Sequence, residues 1–571
     1  MIQTTGEASL TQAFLKLPHD LSVEQSSFKQ LSFEHSSLEP SSALEISAQK
    51  NSTQPLLVQS SLLSNQSMNN QSMSNQSVHN GVIPSDVTPI TTTVLAEHPT
   101  ANAPFDLTTQ LSQQVIRQQL IRQQLGLKTK AGFEPVPVSL TPWKLSKAQF
   151  AKAQQLATLL GHIQASAAAN PYWLLALLAK LEFSQSVPGQ IWRTLRNIYP
   201  AGAESTSSTQ LVVNRNLMLN RHDFMLDQQQ QWQWVESNPI AAGMGPLNAQ
   251  YLALIAQYRQ GSYAANDAVK VQATLLAHAA IAQSRTHLST THLSTTNEST
   301  TDKSTTHRAS LMLIVVEGDE DNIFDQRLLC DEVQRLGVRV ERVTISELMQ
   351  SELSGDNQLL WQTQPVDLLY WRTGYNPSAE LNDDYWHFRA RLESTAVSQC
   401  PTLLGQLTGS KWFQHQFSKA LLHDSTTVAA IFAIAPDEVN LLKQAVVQSF
   451  GVSELSAARI KELITAGYWY KTQQEGGGNV ARGQAALDKS NQADHADILM
   501  APINAAIRQE AFTSLRQNNT TVTTEHISEL GIFSLGDTAD YGGYLCRTKP
   551  ALNNEGGVHR GGAVLDTILL S

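Results

Sequence analysis

The chain has 571 residues and a formal net charge of -10. That length predicts about two to four domains, and the acidic balance, with no Lys/Arg-rich run, excludes a nucleic-acid-binding face. Its three cysteines, Cys330, Cys400 and Cys546, are odd in number and far apart, which excludes a disulfide framework and points to a reducing cytoplasm. The first residues lack a basic start followed by an apolar core, and the run WLLALLAKLEF is too short and too charged to cross a bilayer.

From Met1 to about Phe133 the chain is rich in Ser, Gln, Asn and Thr and holds the near-repeat NQSMNNQSMSNQSVHN. Such a composition offers too little apolar surface to offset ordering entropy, so 1–133 is expected to be a mostly disordered extension. Inside it, QQVIRQQLIRQQLGL has a helical rhythm, that of a marginal surface helix or of a short docking helix. Folding is expected to begin near PVPVSLTPW. Through 134–283, FAKAQQLATLL and IWRTLRNIY carry apolar residues at spacings of three and four, the mark of amphipathic helices. LVVNRNLMLNRHDFML and QWQWVESN alternate like strands, and NAQYLALIAQYR returns to a helical pattern. The Thr/Ser-rich segment 284–308 reads as a linker whose His287, His292 and His307 are loop filler rather than metal ligands.

Beyond the linker, SLMLIVVEGDEDNIFDQRLLCDEVQRLGVRVERV gives strand, turn, helix and strand, a parallel βαβ unit that opens an α/β domain over 309–409. PVDLLYWRTGYNP adds a strand ending at Arg372. The last portion, 410–571, alternates helices such as AARIKELITA with strands such as YWYK, DILM and EHISELGIFSL, then ends in the glycine-rich NNEGGVHRGGAVLD.

Three constellations carry chemistry. In KTQQEGGGNV, the glycines Gly476, Gly477 and Gly478 offer backbone N–H groups free of Cβ hindrance, with Lys471 and Glu475 before them and Asn479 after. A flexible surface loop is the plainer reading of three glycines. The preceding carboxylate favours a phosphate clamp, since it is placed to hold a magnesium ion bridging the same phosphates. Neither a P-loop nor a Rossmann fingerprint is present. Glu236 and Asn238 lie two apart at a strand end and so share one face; alone they read as an ordinary polar edge, and they matter together with Glu475. Arg221, Arg372 and Arg547 stand at strand ends, where a planar guanidinium suits carboxylate or phosphate recognition. Each by itself reads as a solvated surface arginine.

Taken together, NIFDQR, RTGYNP, CPTLLGQLTGSK, KTQQEGGGN, ILM, ISELGIF, RTK, GGV and AVLD closely resemble, in order and approximate spacing, the eukaryotic-type glutathione synthetases of the ATP-grasp ligases, from about Pro135 to the C-terminus. The resemblance implies an α/β (α+β) ATP-grasp fold with an inserted parallel-sheet substrate-binding domain and an N-terminal helical portion. It also implies ATP-dependent ligation of γ-glutamylcysteine to glycine in a homodimer, to which composition adds the expectation of a cytoplasmic protein with no nucleic-acid or membrane partner. By the family pattern, Glu236, Asn238 and Glu475 are expected to hold Mg2+. Lys411, Lys471, Gly476, Gly477, Gly478, Asn479, the strand Met500 to Ile503, Glu529 and Lys549 are expected to bind ATP. Arg221, Glu320, Asn322, Gln326, Arg372, Tyr375, Arg547, Val558 and His559 are expected to contact substrate, with Arg547 and Glu475 catalytic. The chain departs from the pattern at Ala241 and Gly243, where serines are common, at Ala501 and Pro502 in the ATP strand, and at His559 and Arg560 beside the substrate. These departures keep two alternatives open: a related ligase with another acceptor amine, and a nucleotide-binding relative without catalysis.

Overall fold

The computed structural model describes residues 109–571 apart from 202–216, 294–307, 356, 476–478, 509, 517–518, 524, 554–555 and 559–560. The low-complexity tail, most of the Thr/Ser-rich segment, the three consecutive glycines, His559 and Arg560 therefore lie outside the described residues.

An eight-stranded sheet forms the floor of the described chain, in the order Asn519–Thr523, Phe512–Arg516, Val138–Ser139, Val564–Asp566, Asp540–Pro550, His526–Leu535, Leu219–Leu226 and Trp232–Asn238. Side chains alternate between its faces. Phe224, Leu530 and Ile532 are buried on one face, and the helix Lys147–Ala168 packs against these strands, Gly161 allowing the close approach because a Cβ there would stand 2.5 Å from Ser534 Oγ. That helix starts where the sequence placed a helical rhythm, fixed by a capping box in which Ser146 N donates to Gln149 Oε1 at 2.9 Å and Gln149 N to Ser146 Oγ at 3.1 Å. The opposite face carries Arg221, Asp223 and Glu529.

The expected βαβ unit is present. Strands Ser398–Cys400, Leu368–Trp371, Leu311–Val316 and Arg339–Thr344 form a four-stranded sheet whose pairings are all parallel. All six residues of Leu311–Val316 are buried, as a strand covered on both faces requires. Arg372 and the loop Glu317 to Asn322 follow the carboxyl ends of neighbouring strands, the edge at which open α/β sheets bind ligands. A third, antiparallel sheet of Ser449–Gly451, Ile498–Met500, Trp469–Lys471 and Val480–Ala481 has its own small core around Leu463, Ile464 and Tyr470.

Three boundaries differ from the sequence reading. Regular structure is present upstream of Pro135: Thr109 caps the helix Gln110–Arg122, whose Ile116 and Leu120 are fully buried, and the hairpin of Gly126–Thr129 and Gly132–Pro135 follows. Two apolar residues a helical turn apart, docked in a core already present, are enough to order a segment whose composition is polar. The helix Ala268–Leu293 runs on into the expected linker. The strand expected to reach Ile503 ends at Met500, because Pro502 has no N–H to continue the ladder.

Candidate active site

Four adjacent strands of the large sheet set out the charged floor of the site. Cross-strand partners share a face, and the register pairs Arg221 with Asn238, Asp223 with Glu236, Asp223 with Gly531 and Glu529 with Arg547. Between Asp223 and Phe224 the register shifts, leaving Val235 unpaired, and this bulge brings Glu236 and Asn238 onto the face that bears Arg221. Arg547 donates through Nε and Nη2 to Glu529 Oε1, and through Nη2 to Asp223 Oδ2 at 3.3 Å.

Two lysines come in from other elements. Lys411 is the first residue of the helix Lys411–His423, capped by Ser410, and its Nζ lies 3.0 Å from Glu475 Oε1 and 2.9 Å from Gln474 O. Lys471 ends its strand with Nζ 3.2 Å from Val235 O and 3.9 Å from Glu236 Oε2. Glu475 N donates to Asn376 Oδ1 at 3.1 Å, which ties the segment before the glycines to the loop after Arg372. Asn479 Nδ2 closes that segment on Glu475 O at 2.7 Å.

Burial by itself pushes the Glu236 carboxyl up, yet the charges of Lys411, Lys471, Arg547 and Arg221 outweigh it and hold the group down at about 2. Glu475 moves the other way: burial, and then the negative charge of Glu236, raise it against the pull of Lys411. Burial lowers Lys471, whereas Glu475 and Glu236 more than offset burial at Lys411 and raise it. Two carboxylates and two ammonium groups thus share one partly desolvated space.

At the parallel-sheet end, Arg372 is 4% exposed and donates through Nη1 to Ala242 O at 2.8 Å and to Tyr370 Oη at 3.2 Å. Burial disfavours its charge, but Tyr370, Asp325 and Glu320 together raise its pKa. Glu320 is raised by burial, and the Tyr375 hydroxyl is pushed up to about 12, again chiefly by burial.

One cleft of about 720 Å3 collects these groups. Its lining includes Arg221, Glu236, Asn238, Glu320, Asn322, Arg372, Tyr375, Lys411, Lys471, Glu475, Asn479, Met500, Ile503, Glu529, Arg547, Lys549 and Val558. Gln326 does not line it: this buried amide stands behind the wall, donating to Asn322 Oδ1 at 2.9 Å and to Glu320, and accepting from Arg342 Nη1 at 2.6 Å. Sequence reasoning missed Asp223, Asp325 and Arg342. Asp325 is buried and accepts from the N–H groups of Met244 at 2.8 Å and Leu247 at 3.0 Å, so it anchors the turn carrying Gly243. Position two after Arg221 on the same strand was the available signal for Asp223.

The donor chemistry fits magnesium. Among the described residues no three His, Cys, Asp or Glu side chains gather to hold a metal by themselves. Glu236, Glu475 and the Asn238 amide supply oxygen donors beside two lysines, and magnesium is ordinarily held by one or two carboxylates together with substrate phosphates.

These features define a class: an α/β protein with a cleft in which lysines, arginines and carboxylates from three sheets are gathered. The family profile described as eukaryotic glutathione synthase, ATP binding domain, matches residues 105–570, and the chain belongs to that family. It is 29% identical over 383 residues to the chloroplastic glutathione synthetase of Solanum lycopersicum, covering 62% of this chain and 64% of that protein. It is 30% identical over 272 residues to the glutathione synthetase of Mus musculus and 29% identical over 272 residues to that of Homo sapiens, in each case covering 45% of this chain and 56% of the relative. The alignments thus span less than two thirds of these relatives. A solved structure of a glutathione synthetase-like effector from Globodera pallida, in apo form, superposes with a TM-score of 0.54 at 15% identity, over 80% of this chain and 96% of that one, and shows likeness of fold.

Proposed function

We propose that the chain is a glutathione synthetase: an ATP- and Mg2+-dependent ligase joining the cysteinyl carboxylate of γ-glutamylcysteine to the amine of glycine, the second step of glutathione biosynthesis. The observation that carries this reading is the meeting of Glu236 and Asn238 with Glu475, Lys411 and Lys471 in the same cleft as Arg221, Arg372 and Arg547.

A carboxylate is a poor electrophile. In the proposed reaction its oxygen takes the γ-phosphoryl group of ATP, releasing ADP, and the glycine amine attacks the resulting acyl phosphate carbonyl and expels phosphate, with loss of the amine proton. Lys411 and Lys471 neutralise charge on the transferring group, and Arg547 steadies the oxyanion. Glu236, Asn238 and Glu475 would hold magnesium, which when bound supplies charge neutralisation on the phosphates. Met500, Ile503, Glu529, Lys549, Asn479 and the glycines 476–478 belong to the nucleotide site, and Arg221, Glu320, Asn322, Arg372, Tyr375, Val558 and His559 to the dipeptide and acceptor. Gln326 acts from behind, through Glu320 and Asn322.

The same proposal takes the fold as an ATP-grasp, with 309–409 as inserted substrate domain and the portions expected at 134–283 and 410–571 as its grip, the first of them extended beyond those bounds by Gln110–Arg122 and by the end of Ala268–Leu293. A homodimer completes it, in the cytoplasm; the location is in keeping with three cysteines that are all unpaired and buried. Among the described residues no helix is long and apolar enough to cross a membrane.

The experiment is ADP and phosphate release from the full chain with ATP, Mg2+, γ-glutamylcysteine and a panel of amines. Release that needs all components and favours glycine supports the reading. Release with a different preferred amine replaces the acceptor, and none with any amine refutes ligation.

A further inference from the structure

A single buried carboxylate joins the groups of the cleft that the proposed reaction assigns to different tasks. Asp223 is 1% exposed. Arg221 grips it with both prongs, Nε to Oδ1 at 2.7 Å and Nη2 to Oδ2 at 2.9 Å. The same Oδ2 also accepts from Arg547 Nη2 at 3.3 Å and from Asn238 Nδ2 at 3.1 Å.

Each bond sets an orientation. A two-pronged pair fixes the plane of a guanidinium, so Arg221 is left to act through its remaining Nη hydrogens, one of which reaches Gly243 O at 3.3 Å. Arg547 spends Nε and Nη2 on Glu529 and Asp223, which turns its Nη1 edge away from both. The Asn238 amide, with Nδ2 committed to Asp223, has its Oδ1 on the other side. The facing strand makes room for this arrangement: a Cβ on Gly531 would stand 2.5 Å from Asp223 Oδ1 and 2.7 Å from Arg221 Cδ. A buried ion pair contributes little net stability compared with apolar residues of the same volume, so a merely structural role leaves this carboxylate unexplained. Its three partners all line the cleft.

We infer that Asp223 is a positioning residue, which sets Arg221 and Arg547 for substrate and turns the Asn238 carbonyl toward the divalent cation. The inference rests on the ligase reading, and its test is separable from that reading. Wild type and Asp223→Asn are compared in kcat, KM for γ-glutamylcysteine, affinity for ATP without divalent cation, and Mn2+ affinity by calorimetry in the presence of adenylyl imidodiphosphate. The expected result is a fall of about 10- to 100-fold in kcat/KM and a loss of about tenfold in Mn2+ affinity, with metal-free ATP affinity unchanged. A folded variant with wild-type kcat/KM and Mn2+ affinity overturns the inference, as does one that loses only thermal stability. Gly531→Ala, which crowds the carboxylate without removing its charge, is the second variant; the same losses are expected, and their absence in it is equally adverse. No turnover in the wild-type chain counts against ligation, whereas equal Mn2+ affinity in wild type and variant counts against positioning.

Discussion

Lys411 stands 3.0 Å from Glu475, and its charge also acts on Glu236, so one buried ammonium serves carboxylates from two distant stretches of chain. Glu236 holds its negative charge firmly, whereas Glu475 is raised by burial and by Glu236. Under the proposed reading a divalent cation would relieve the repulsion between the two carboxylates, which Lys411 and Lys471 offset in part.

The first prediction concerns that pair. Glu475→Gln keeps the shape and removes one charge, and turnover is expected to fall about 10²- to 10³-fold. ATP binding measured in excess EDTA should hold or tighten, because a negative charge beside the triphosphate is gone. Calorimetric titration with and without Mg2+ checks both. Equal ATP affinity in Mg2+ for wild type and variant would show that Glu475 does not participate in metal-dependent binding.

Gly243 gives the second. A Cβ there would lie 2.6 Å from Arg372 Nη2 and 3.2 Å from Asp325 Oδ2. Arg372 is buried and tied to Ala242 O and Tyr370 Oη, so it cannot swing aside without giving up those bonds. Gly243→Ala is therefore expected to raise KM for γ-glutamylcysteine about 10-fold, the equivalent of about 1.4 kcal/mol, with KM for ATP unchanged. Steady-state kinetics with each substrate varied in turn decides it.

Much of this site was legible in the sequence because it is built at strand ends and within one strand. Glu236 with Asn238, and Arg221 on its own strand, follow from alternation, and the βαβ unit from its long apolar strand. What was illegible depends on registers between strands. Asp223 looks like any strand aspartate until Gly531 is known to stand opposite it with Arg547 one strand further on. Asp325 and Arg342 act on loop backbone and on Gln326 from behind the cleft, a relation that no local pattern encodes. The sequence leaves the helix Gln110–Arg122 between a marginal surface helix and a docking helix, because its stability comes from docking Ile116 and Leu120, not from its own composition.

The third prediction is of stability. Arg508 Nη1 lies 2.8 Å from Asp566 Oδ2, with side-chain exposures of 7% and 0%, and the same guanidinium reaches the carbonyls of Thr141 and Pro142 at 3.1 and 3.2 Å. It therefore pins the strand Val564–Asp566 to the loop after Val138–Ser139. Arg508→Met strands a buried carboxylate and is expected to cost about 3–5 kcal/mol. Adding Asp566→Asn should return part of that loss. Denaturant unfolding of the two single variants and the double variant measures the coupling, and strictly additive losses would show the pair to be uncoupled.

His222 supplies a pH dependence. It is fully buried on the face away from the cleft, between Ser237 Oγ at 2.7 Å and Ser534 Oγ at 2.8 Å. Burial, and then the neighbouring Arg221 charge, lower it from 6.5 to about 3. The unfolded chain therefore binds a proton between those values that the folded chain does not, so stability rises with pH across this window. The contribution is complete above pH 6.5 and is lost as the pH falls toward 3. Replacing the ring by His222→Gln, which keeps a donor and an acceptor for the two serines, is expected to flatten the acid limb by up to about 1.4 kcal/mol per pH unit. Denaturation midpoints of both proteins at a series of pH values test it: curves that stay parallel from pH 6.5 down to 3 would mean that His222 takes up its proton without unfolding.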